Sequence, residues 1–296
     1  MFDAKRAPHG NWFSGLARQC WNREISPFLA GLPYTPFEEQ DAFVTLSGHM
    51  AETLDDARLQ RLLSGGVLID GGALMHLCRR GYGDLTGCSV ERVYPSGMRE
   101  TFHDDPRNGA MAGQTRDVYQ TFYRWNDGDT DVYSLKPAPG AVVLSHLSSI
   151  TGVACGVGAC AYENALGGRV IACGYLPWRF AEIPRRTDQL RRFADWLSRD
   201  RMPLRMADAH RVFPMYKRSA GRSGFALMLV NCSMDPAPAM QISLDALPGG
   251  GIRRYDETGA VHAFQSWRQH RGGDGILLDI PALAPWEHLV LLRPEA

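Results

Sequence analysis

The sequence predicts an α/β domain built on a doubly wound, mostly parallel sheet, followed by a small antiparallel β-sandwich. Three observations predict it. Between residues 42 and 80, short apolar runs alternate with stretches of helical periodicity, and paired glycines separate them. From Pro203 onward the chain changes to short alternating stretches divided by turn residues. The 296 residues suffice for two ordinary domains, and 45% hydrophobic with 22% charged residues is a globular composition.

The elements follow in order. Trp12 to Leu29 predicts a helix, with Phe13, Leu16, Ala17, Cys20, Trp21, Ile25 and Phe28 at helical spacing and Gly31 as its stop. The two prolines of LPYTPFEEQ predict an extended segment or loop. Ala42 to Ser47, AFVTLS, is an apolar run of buried-strand type closed by Gly48. Thr53 or Asp55 can cap a helix over Ala57 to Leu63, stopped by Ser64-Gly65-Gly66. Val67 to Asp70 predicts a second strand, Gly71-Gly72 a tight turn, and Ala73 to Arg80 another helix stopped by Gly81. Strand, helix, strand, helix in this order is a right-handed parallel unit.

Beyond it, GMRETFHDDPRNGAMAGQTRD is polar and glycine-rich and is expected to be a surface insertion. VYQTFYRW and DVYSLK alternate as antiparallel strands do, and AVVLSHL and RVIAC return to the buried-strand type. Asp188 to Leu197 predicts an amphipathic helix with Leu190, Phe193, Ala194 and Leu197 on one face. The domain boundary is expected between Ser198 and Pro203, dividing residues 1–200 from 201–296. RVFPMYKR, FALMLVNCS, MQISL, IRRYD, AVHAF, GILLDI and HLVLLR are the expected sandwich strands.

Composition excludes several partners. Lys+Arg and Asp+Glu are both 32, so no basic excess attracts nucleic acid. No apolar run approaches the roughly 20 residues needed to span a bilayer. MFDAKRAPHGNWF lacks the apolar centre of a signal peptide. Seven scattered cysteines suggest reduced thiols and a cytoplasmic location. Cys155 and Cys160 lack nearby companions for a zinc site, so neither metal nor cofactor is expected.

The segment DAFVTLSGHMAETLDDARLQRLLSGGVLIDGGALMHLCRRG resembles the central part of class I glutamine-amidotransferase-like domains, which implies a flavodoxin-like fold. In active members the sharp turn after the second of these strands holds the nucleophilic cysteine. Here that turn reads Ile69-Asp70-Gly71-Gly72-Ala73, and Cys78 lies two helical turns along. The resemblance therefore implies no amidase activity, since thiolate attack is the first step. Such a domain followed by a small β-domain is similar to the rear half of β-galactosidases that begin with a catalytic barrel. That resemblance rests on the order ENALGGRVIACGYLPW, DQLRRFADWLSRDRMPLR, FALMLVNCSMDP. It implies a trimerising role for these domains, a carbohydrate substrate, and a barrel supplying the two catalytic glutamates. Nothing before residue 40 can hold the barrel, and the sheet's first strand is also missing from the expected order. A fragment or a shortened homologue is expected, with an open sheet edge to fill.

Ligands of open α/β sheets bind beyond the carboxyl ends of the strands. Gly48, His49 and Glu52 follow the first strand, and Asp70, Gly71 and Gly72 follow the second, so all are expected on one rim. A histidine with two carboxylates could perform acid–base chemistry or bind a metal. In the competing assignment Asp70 caps the next helix and His49 is a solvated loop residue. Glu163 could join a carboxylate pair with Asp70 or Glu52, as a glycosidase requires, or could anchor the turn before RVIAC. The catalytic candidates are thus Asp70, Glu52, Glu163 and His49, with Gly48, Gly71, Gly72 and Trp267 as binding candidates. Trp178, Trp196, Trp267 and Trp286 could each stack on a sugar or anchor a core, and Trp267 has the most polar surroundings. No G-x-S-x-G elbow is present, and Ser47 and Ser145 have only sequence-neighbouring histidines. Three functions compete: an assembly or substrate-entrance role in a carbohydrate-active protein, a self-sufficient glycosidase or esterase using the rim, and a non-catalytic small-molecule binding module.

Overall fold

The computed structural model describes residues 31–33, 43–48, 50–94, 98–118, 132–177, 183–206, 212–270 and 275–295. The helix expected over Trp12–Leu29 lies outside them, as do His49, Trp178 and nearly all of VYQTFYRW. Two compact units are present, one holding the described residues of 36–180 and 188–200, the other those of 31–35, 183–187 and 201–295.

In the first unit, β1 (Phe43–Leu46) and β2 (Gly66–Asp70) pair in parallel, from Phe43 opposite Gly66 to Leu46 opposite Ile69. Their connection holds α1 (Met50–Thr53) and α2 (Asp56–Leu63). Asp55 caps α2, accepting the Arg58 backbone N–H at 2.8 Å, and Leu59, Leu62 and Leu63 form the buried stripe. β2 is buried at all five positions and runs straight into α3 (Gly71–Arg79). The expected Gly71-Gly72 turn is corrected: the two glycines are the first helical residues, because Asp70 is already the cap. α4 (Gly83–Thr86) ends on Gly87, whose φ of 70° suits a left-handed cap.

The chain continues through β3 (Cys88–Tyr94), β4 (Met98–Phe102), a 3-10 helix (Pro106–Met111), β5 (Thr115–Val118) and β6 (Val132–Pro137). β7 (Val142–Ser149), β8 (Ala154–Glu163), β9 (Arg169–Cys173) and α5 (Pro184–Leu197) complete it. Among the described residues the sheet has nine strands, in the order β1-β2-β9-β8-β7-β4-β5 with β6 joined to both β3 and β8. Among the described residues only β1–β2 and β2–β9 are parallel, so the expected mostly parallel sheet is in fact mixed, with few helices. The reason is connection length: the short turns between β7 and β8 and between β8 and β9 permit antiparallel pairing alone. The expected surface insertion is also corrected. Met98, Glu100 and Phe102 of β4 alternate inward at 4%, 0% and 2% exposure.

The second unit contains β10 (Leu204–Met206), β11 (Val212–Arg218), β12 (Phe225–Asn231), β13 (Met240–Leu244) and β14 (Ile252–Tyr255). β15 (Val261–Phe264), β16 (Trp267–Gln269), β17 (Ile276–Ile280) and β18 (His288–Arg293) follow. One sheet has the order β10-β13-β17-β16 and the other β11-β12-β18-β14-β15, and every pairing in both is antiparallel. Leu204, Ile242, Ile276 and Leu278 of the first sheet share a core with Leu227, Leu229, Leu289 and Leu291 of the second. Each such side chain contributes about 1.5–3 kcal/mol on burial. Among the described residues no helix is long and apolar enough to cross a membrane.

Candidate functional site

β1 and β2 are parallel neighbours, so their carboxyl ends lie side by side and deliver Gly48 and Asp70 to one place. Asp70 is 4% exposed. Its Oδ1 accepts the N–H of Ala73 at 2.8 Å, the helix-capping bond, and that of Gly48 at 2.9 Å. A carboxylate at this position also complements the positive end of α3. The glycines are required by space. A Cβ on Gly71 would lie 2.2 Å from Cδ2 of Tyr133, and one on Gly72 would lie 3.2 Å from the Cα of Gly48. Gly48 itself has a φ of 47°. Gly48, Asp70, Gly71 and Gly72 are therefore brought together as a tightly packed elbow.

Glu52 stands in α1, half exposed, and its Oε1 lies 2.8 Å from Nδ1 of His76, whose side chain is 11% exposed. His76 belongs to α3 and was not singled out by the sequence. It lies in the last turn of α3, whereas Asp70 caps the first, so the Glu52–His76 pair stands more than one helical turn along α3 from the Asp70 elbow.

Glu163 is not brought to this rim. It pairs with Arg169 across the β8–β9 turn, and Arg169 is opposite Gly66, at the start of β2. Asp70 is opposite Cys173 at the other end of β9. Four residues of extended chain separate the two levels by about 13 Å. Trp267 lies in the second unit, half-buried in β16 and packed against the sandwich core.

A buried polar cluster escaped the sequence reading. Glu100, fully buried, accepts from Ser145 Oγ at 2.6 Å, Tyr175 OH at 2.7 Å and Arg116 Nε at 2.8 Å. The Arg116 guanidinium lies 4.7 Å from the ring centroid of Tyr175 and 5.5 Å from that of Phe102. Burial alone would loosen the Arg116 proton, but the Glu100 carboxylate and Tyr175 outweigh it and the net shift is upward. The alternation of MRETF with Glu100 on the apolar face was its signal.

The six described cysteines are free thiols. Cys88 is pushed well above its ordinary value by its hydrogen bond with Cys160 and by burial. Among the described residues no group of three or more His, Cys, Asp or Glu side chains is arranged to hold a metal ion.

No protein-family model matches the chain, and no curated protein matches it closely enough to count as a relative. Solved structures do match. α-L-fucosidase isoenzyme 2 from Paenibacillus thiaminolyticus aligns with a TM-score of 0.60 at 12% identity, covering 93% of this chain and 45% of that one. Gan42B, a GH42 β-galactosidase from G. stearothermophilus, aligns with a TM-score of 0.54 at 12% identity, covering 100% of this chain and 38% of that one. The chain thus spans less than half the length of either structure, and the likeness is one of fold alone.

Proposed function

We propose that the chain forms the non-barrel portion of a carbohydrate-active, glycoside hydrolase-related protein and supports its assembly or shapes its substrate entrance. In this reading residues 1–200 are a degenerate amidotransferase-like domain of flavodoxin-like type, trimerising by analogy, and 201–296 are the small β-domain. A catalytic barrel is supplied by the same longer chain or a neighbouring one. The observation that carries the reading is the elbow. Where an amidase would present a nucleophile, Asp70 is 4% exposed and bonds Gly48 and Ala73. The fold likeness to parts of two glycoside hydrolases named for different sugars supports the same reading. Sedimentation of the purified chain tests it: a trimer is the expected species, and a strict monomer at all concentrations counts against assembly.

A second reading, a self-sufficient hydrolase on the same rim, is favoured by one observation, the Glu52–His76 pair at 2.8 Å. A carboxylate that orients an imidazole is half of an acid–base arrangement. Esterase or glycosidase turnover that disappears in Glu52→Gln and His76→Ala would establish it, and absence of turnover in the parent chain removes it.

A further inference from the structure

The second unit contains a groove of about 820 Å³ where the chain leaves β15 in one sheet and enters β16 in the other. Register explains how it is lined. On β14 and β15, Ile252 is opposite Phe264 and Arg254 is opposite His262. Directly opposed residues share one face of an antiparallel pair. Ile252 and Phe264 turn into the core at 2% and 8% exposure, and Arg254 and His262 are the next pair outward. Phe264 and Ile280 give the groove an apolar floor, and Arg254, Asp256 and His262 give it a polar rim, while Asp279 alternates with Ile280 along β17 and turns its carboxylate to the other face of the sheet.

The rim is held in place. Asp256 Oδ1 accepts the N–H groups of Thr258 and Ala260, each at 2.9 Å, and the Thr258 hydroxyl at 2.7 Å. Its Oδ2 lies 2.9 Å from Nε2 of His262, whose side chain is 59% exposed. The His262 and Thr258 hydrogen bonds hold the Asp256 carboxyl well below the usual carboxylate range, so it stays an acceptor. Asp279 Oδ1 accepts from Gln241 at 2.8 Å and Oδ2 pairs with Arg268. Charges therefore balance, with Arg254 set against Asp256 on the rim and Asp279 neutralised by Arg268 outside it. A balanced rim attracts neither a phosphate nor a metal cation by long-range field. It offers charged donors and charged acceptors side by side above an apolar floor. That pattern matches a ligand whose hydroxyls donate and accept and whose C–H face is apolar.

We propose that this groove binds a neutral saccharide. The choice of sugar among neutral polyols rests on the glycoside hydrolase-related reading above; the site itself lies apart from the Asp70 rim. Arg254 donates to sugar hydroxyls, Asp256 Oδ2 and the Nδ1 of His262, whose Nε2 proton is held by Asp256, accept from them, and the ring packs over Phe264 and Ile280.

The test is calorimetric titration of the full chain with galactose, fucose and lactose, with sodium sulfate as the anionic probe. At least one sugar is expected to bind in the millimolar range, and Arg254→Ala and His262→Ala are each expected to weaken it by about tenfold or more. Melting curves show that each variant is folded, and His262→Gln, which keeps both a donor for Asp256 and an acceptor, should retain part of the affinity. Absence of binding by all three sugars overturns the proposal. So does sugar binding that both variants leave unchanged, or sulfate binding that depends on Arg254 while no sugar binds. A chain that assembles as a trimer yet binds no sugar loses the groove and keeps the assembly reading. A strict monomer that binds sugar through Arg254 and His262 does the reverse.

Discussion

Oδ1 of Asp70 lies 2.9 Å from the backbone nitrogen of Gly48, tying the end of β1 to the start of α3 through one carboxylate oxygen that also caps the helix. The elbow after β2 is thus closed by its own strand neighbour. Removing the carboxylate leaves two buried N–H groups, one at a helix terminus and one in the turn after β1. Asp70→Ala is expected to destabilise the chain by about 2–4 kcal/mol. Asp70→Asn, which retains an acceptor, should cost less. Urea unfolding of both variants measures the difference.

Gly71 is the second constraint on that elbow. Alanine normally favours a helix over glycine, by about 1 kcal/mol. At this position the new Cβ would meet the ring of Tyr133 at 2.2 Å. Gly71→Ala should therefore destabilise, by about 1–3 kcal/mol. The loss should shrink when Tyr133→Ala is added, and a double-mutant cycle reads the coupling directly.

The Glu100 cluster sets a third expectation. Glu100→Gln leaves the Arg116 guanidinium buried against a neutral amide and is expected to cost about 3–5 kcal/mol. Replacing both partners together, Glu100→Leu with Arg116→Met, should cost less than the single change, because no buried charge remains unpaired. Thermal unfolding of the single and double variants decides it.

A pH dependence follows from His103 and His146, whose Nε2 and Nδ1 approach to 2.7 Å. Partial burial, and then the neighbouring His103, lowers the His146 value below the ordinary 6.5. Below 6.5 the unfolded chain takes up this proton more readily than the folded one. Stability should therefore fall as pH drops from 6.5 toward the lowered value. His146→Gln should flatten that part of the profile. Asp105, lowered by its hydrogen bond from Arg107, acts in the same direction but only below its ordinary 3.8, so the two contributions separate along the pH axis.

The parts of this fold legible in the sequence are those where side-chain type and period agree. Val67–Ile69 is a continuous apolar run, and Leu59, Leu62 and Leu63 fall on one helical face. In the sandwich, strands such as FALMLVN alternate inward and outward as their burial does. β8 was illegible because ACGVGACAYE is rich in small residues instead of the branched and aromatic ones that mark strands. The structure explains the composition: a Cβ on Gly156 would lie 2.9 Å from Ser134, and one on Gly158 would lie 2.8 Å from Ser145 Oγ. β4 was hidden for a related reason, since Glu100 occupies an inward position that only its three partners make tolerable. Strand direction was not legible either, as an apolar run does not name its neighbour. At the candidate site, the sequence located Asp70 and its glycines. It could not reveal that Glu163 pairs with Arg169 at the far end of β9, or that Glu52 meets His76.

Whether these two units support a glycosidase without performing the chemistry themselves is decided by turnover of nitrophenyl glycosides and esters. The purified chain is assayed beside Asp70→Ala and Glu163→Ala. No turnover above buffer is expected in the parent chain or in either variant. Glycoside turnover by the parent chain that is lost in Asp70→Ala or Glu163→Ala would contradict that supporting role.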